Sequence, residues 1–139
     1  MADYFTQFSC VLDVGDVHID EALAIYAQMA ADLEADDALS IGFEAEVSAD
    51  HPNTLWLHDG GGHGEPEYVI AFALRCAEAF GLIGRWGFSW ALTCSRPRLD
   101  GFGGGAQVLD LGARRSLAWT DCSQWLTNAL EGAVGDSED

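Results

Sequence analysis

The apolar positions of this chain change period several times, and each change marks an element. From Tyr4 to Leu12 the residues alternate, with Tyr4, Thr6, Phe8, Cys10 and Leu12 on one face and Phe5, Gln7, Ser9 and Val11 on the other. A period of two predicts a strand, and apolar residues on both faces place it centrally in a sheet. After a turn at 13–16, Ile19, Leu23, Tyr26, Ala30 and Leu33 recur at helical spacing, which predicts a helix over about 18–34. Asp20 and Glu21 suit the positive end of its dipole. Asp32, Glu34, Asp36 and Asp37 crowd the negative end, where acids cost stability. A local rule broken in this way points to function.

Residues 40–48 alternate again, with Ile41, Phe43, Ala45 and Val47 inward and Glu44 and Glu46 outward. His51-Pro52-Asn53 turns the chain into a short partner strand, Thr54 to His58. A glycine-rich stretch leads into Pro66 to Phe80, a helix with proline at its start and Gly81 at its stop. Arg85 to Leu92 is the clearest strand, with Trp86, Phe88, Trp90 and Leu92 on one face. A long loop from Thr93 to Gly105 follows, then a hairpin of 107–111 and 116–119 around Gly112. Asp121 with Gln124 three positions on resembles a capping box and opens a last helix to about Leu130. The order β-α-β-β-α-β predicts an α+β fold, a ferredoxin-like sandwich extended by a C-terminal β-hairpin and helix. One domain over 1–133 and a disordered acidic tail over 134–139 are expected.

Charge alters this picture more than composition does. The net charge is −17, and the first 74 residues hold fifteen carboxylates and no lysine or arginine. All six bases are arginines lying between Arg75 and Arg115. Such a surface repels nucleic acid and anionic membrane and attracts a basic partner. With 49% apolar residues the chain has material for a core, so the charge does not imply disorder. The first residues lack the charged and apolar regions of a signal peptide, and the longest apolar run, 69–74, is far short of a membrane span. A soluble, cytoplasmic protein is expected. In that compartment Cys10, Cys76, Cys94 and Cys122, with no C-x-x-C pair, read as buried thiols, with Cys94 in its loop the one expected to be exposed.

Catalytic signals are weak. His58 and His63 flank glycines beside Asp59 and Glu65, but their spacing presents no ready metal geometry, and the segment lacks the lysine of a phosphate loop. Cys94 with a histidine base matches no thiol-enzyme signature. No cofactor, metal or catalytic residue is expected. The loop carrying Cys94, Arg96 and Arg98 is a possible small-molecule or partner site, because long loops in compact domains are often functional.

The stronger candidate is the run Asp32, Glu34, Asp36, Asp37, Glu44, Glu46 and Asp50, with no intervening base. Carboxylates along a rigid face can imitate the phosphates of a duplex. The expected function is therefore a non-catalytic binding protein that inhibits or regulates a basic, nucleic-acid-binding protein. Small acidic inhibitors of the anti-CRISPR or anti-restriction type offer an analogy of size and charge alone. A small-molecule-binding domain or small enzyme with a site at 93–105 is one alternative. Acidity as salt adaptation, with no recognition role, is the other.

Overall fold

The computed structural model describes residues 3–37, 40–99 and 101–132. The expected tail at 134–139 lies outside these residues, as does Asp100 in the arginine loop. The described chain is a mixed α+β structure of two antiparallel sheets and three helices. In order these are β1 (Tyr4–Gln7), β2 (Ser9–Asp13), a 3-10 turn (Asp16–His18), α1 (Ile19–Asp37), β3 (Glu44–Val47) and β4 (Thr54–His58). Then come α2 (Pro66–Phe80), β5 (Arg85–Cys94), β6 (Gly103–Asp110), β7 (Arg115–Asp121) and α3 (Cys122–Leu130). No described helix is long and apolar enough to cross a membrane.

The expected single ferredoxin-like sheet does not form. One sheet has the order β1-β5-β6-β7 and the other β2-β4-β3. The first predicted strand is the reason, because it is divided between them at Phe8. Up to Gln7 it pairs with β5, Tyr4 opposite Cys94, and from Ser9 it pairs with β4. At Phe8 itself, Asp59 takes both backbone groups. The Phe8 N–H donates to Asp59 Oδ1 at 3.0 Å, and the Phe8 carbonyl accepts from the Asp59 N–H at 3.3 Å. With its ladder interrupted at one residue, the strand is free to change sheets. The last two strands accordingly do not extend a ferredoxin-like sheet. They belong with β1 and β5.

Two further boundaries differ from the sequence expectation. The strand predicted over 40–48 begins only at Glu44. Gly42 has φ +73°, and its carbonyl accepts from the Glu65 N–H, so this segment anchors the start of α2 and leaves the ladder. The glycines at 103–105, expected in a loop, form the first part of β6. A methyl on Gly105 would sit 2.6 Å from Trp90 Cζ2 and 2.7 Å from the Thr120 carbonyl oxygen. Trp90, paired opposite Gly105, lies across the space a side chain would need.

A single core joins the parts. Leu12, Leu55 and Leu57 from the three-stranded sheet meet Ala22 and Met29 of α1 and Val69, Phe72 and Cys76 of α2. From the other sheet Phe88 and Leu109 enter the same cluster, with Phe88 edge-on to Phe8 at 5.8 Å. Trp86 donates its Nε1–H to the Val11 carbonyl at 2.7 Å, tying β5 to β2. Leucine and phenylalanine of this kind each contribute about 1.5–3 kcal/mol when buried.

Candidate interaction surface

Strand alternation decides what the three-stranded sheet shows to solvent. Cys10, Leu12, Ala45, Leu55 and Leu57 point toward the helices. Ser9, His58 and Glu44 stand in register on the other face, followed by Val11, Trp56 and Glu46. Among the described residues no helix covers this second face: Val11 is half exposed and Trp56 is 38% exposed.

A chain of polar contacts runs across all three strands. Trp56 donates its Nε1–H to Ser9 Oγ at 2.7 Å. Its indole stacks on the His58 imidazole with centroids 3.8 Å apart. His58 Nε2 lies 2.7 Å from Glu46 Oε2, an ion pair whenever the ring is protonated. Ser9 and Glu46 thus hold the aromatic pair from opposite sides, so Trp56 is a rigid, partly exposed plane beside carboxylates. Sequence reasoning assigned Trp56 to a strand and no role to it. The signal was present in Leu55-Trp56-Leu57, where two inward leucines force the indole outward.

The seven acids of the sequence analysis are not gathered into one strip. Glu44 and Glu46 project from the open sheet face. Asp32 and Asp36 line a groove of about 480 Å³ between α1 and α2, together with Met29, Leu33, Tyr68 and Arg75. Those helices pack on the other side of the sheet, so the two pairs leave the domain in different directions. Gln28 Nε2 donates to Asp32 Oδ1 at 2.9 Å. Glu34 is exposed on α1, and Asp50 is exposed in the turn between β3 and β4. The side chain of Asp37 lies outside the described residues.

The other candidates are dispersed. Cys94 ends β5 under Gly101, where a methyl would approach its Cβ to 2.6 Å. Arg96 and Arg98 are exposed on the turn beyond it and form no ion pair among the described residues. His63 lies against Phe5, while His58 is held by Trp56 and Glu46, so neither ring is brought to Cys94. Among the described residues no three His, Cys, Asp or Glu side chains form a metal-ligand group. Burial pushes the Cys10 and Cys76 thiols up to about 12, which leaves them protonated and unreactive at neutral pH.

Asp59 has a role that its sequence position disguised. Besides holding Phe8, it accepts the Gly62 N–H on Oδ2 at 2.6 Å, and its carbonyl accepts the Gly61 N–H. The amides of Gly61 and Gly62, the kind that cradle a phosphate elsewhere, are satisfied by the backbone carbonyl and the carboxylate of Asp59. Aspartate ahead of a glycine run is the signature of such a side-chain turn. Comparison with known protein families, curated proteins and solved structures finds no match. The chemistry of this surface therefore rests on its own residues.

Proposed function

We propose that this chain is a non-catalytic binding protein that engages a basic protein partner through the open face of the three-stranded sheet. One observation carries the reading. A partly exposed indole, Trp56, is fixed between Ser9 and the His58–Glu46 pair, with Glu44 alongside, on a face whose strands contain no lysine or arginine. Cations must come from outside. An arginine laid over the indole gains a cation–π contact, and its guanidinium can reach a neighbouring carboxylate. A buried aromatic centre with a charged rim is the usual anatomy of a specific protein contact. Nucleic-acid-binding proteins present arginine-rich faces of this sort, and occupying one would inhibit or regulate it.

The test compares two charge-neutralised variants against an arginine-rich peptide, titrated by calorimetry at about 0.1 M salt, where screening reaches ~10 Å. Glu44→Gln with Glu46→Gln is expected to weaken binding about tenfold, and Trp56→Ala similarly, given ~1–2 kcal/mol for a desolvated cation–π contact. Asp32→Asn with Asp36→Asn removes the same formal charge from the helix groove and should leave affinity within about twofold. Equal losses from both pairs would reduce the interaction to net charge. Unchanged affinity in all three variants would leave the acids as a solubility device.

A further inference from the structure

The surface farthest in character from the acidic face is formed by β7 and α3. Among the described residues β7 is an edge strand paired only with β6, and α3 packs against β6 and β7 without burying any residue. Trp119 on β7 is 68% exposed, and on α3 Trp125 is 56%, Leu126 51% and Leu130 78% exposed. Unpaired strand edges and exposed large apolar side chains both invite a partner. We infer that this partner is a second copy of the chain, joined by antiparallel pairing of the two β7 strands about Ala118.

Charge selects that occupant. Residues 101–130 carry Arg114, Arg115, Asp110 and Asp121, which sum to zero in a chain of net charge −17. It is a surface where two copies can meet without adding acid to acid. A basic partner gains nothing here. The strand itself, Arg-Ser-Leu-Ala-Trp-Thr-Asp over 115–121, is self-complementary when reversed. Pairing about Ala118 sets Arg115 opposite Asp121 of the second copy, Ser116 opposite Thr120, and Leu117 opposite Trp119, each twice. A bulge interrupts the β6–β7 register at Val108/Leu109, beside Leu117, so the ladder is short and the apolar side chains supply most of the contact.

Sedimentation velocity of the full chain across about 5–100 μM is expected to show a species of twice 14.9 kDa. That species should strengthen as salt rises toward about 0.5 M, because screening relieves repulsion between the acidic remainders. Ala118→Lys sets two like charges across the axis and should raise the dissociation constant about tenfold or more, with an unchanged far-ultraviolet spectrum. If that variant fails to fold, Ala118→Cys in a Cys122→Ser background provides the second measurement. Cα atoms about 4.5–5.5 Å apart allow a disulfide, so oxidised glutathione should yield a covalent dimer. A monomer at every concentration, a dimer that survives Ala118→Lys, or a cysteine variant that stays monomeric under oxidation would each overturn the inference.

Discussion

In the three-stranded sheet, Leu12, Leu55 and Leu57 are sealed beneath α1 and α2. In the four-stranded sheet, β6 contributes Leu109 and a run of glycines, and β7 contributes no buried residue. The first sheet is stabilised by side chains packed on one face, which leaves its other face free for charge and for Trp56. The second is held by backbone ladders, by Trp90 spanning the glycines, and by the small overlap of Phe88 and Leu109 with the common core. Burial and display are thus separated within one sheet in the first half, but barely separated in the second. The lesson is that an acidic surface can be carried at little structural cost where a dense core lies directly behind it.

The contrast can be broken most sharply at Phe72, which is wholly buried where Tyr26 and Phe43 meet it. Phe72→Ala is expected to cost about 3–5 kcal/mol. Chemical denaturation should show both sheets losing structure in one transition, since the core is shared. Two separate transitions would mean that the sheets are independent units. A smaller effect is expected in the second sheet. Gly105→Ala should cost about 1–3 kcal/mol through its clash with the indole and with the Thr120 carbonyl. In a Trp90→Ala background part of that cost should disappear, which a double-mutant cycle of melting curves would reveal. Smallest of all is Leu130→Ser on α3. At low micromolar concentration it should change stability by no more than about 0.5 kcal/mol, as expected for an exposed site. A larger loss would show that α3 is more firmly seated than its exposure indicates.

The sequence carried much of this contrast. The stripe Ile19, Leu23, Tyr26, Ala30, Leu33 located α1, and the proline and Gly81 bounded α2 at its observed ends. The Asp121 cap was legible too, since its Oδ1 accepts the Gln124 N–H at 2.9 Å. The pairing of Thr54–His58 with the strand before it was legible, but which sheet each strand joins was not. Alternation assigns residues to faces, and Tyr4 to Leu12 alternates straight through Phe8 although the sheet changes there. The agent is Asp59, fifty-one residues away, and no local pattern encodes it. The glycines at 103–105 misled for a similar reason. Without Trp90 in view they read as a flexible connection, and only the tertiary partner makes them a strand. The acids of 32–50 are neighbours in sequence only: they span a helix and a strand edge whose side chains depart on different sides.

The division of the first strand also sets a timetable for folding. As the chain is synthesised, β2 can pair once Thr54–His58 has emerged, but β1 must wait for Cys94, ninety residues after Tyr4. At about 5–20 residues per second those residues take roughly 5–20 s, during which β1 lacks its β5 ladder and has only the Thr6–His63 bridge to meet. The first 74 residues are rich in carboxylates and contain no lysine or arginine, so nascent copies repel one another throughout the wait. The charge that suits the finished surface to a cationic partner thereby also protects the unfinished chain from its neighbours.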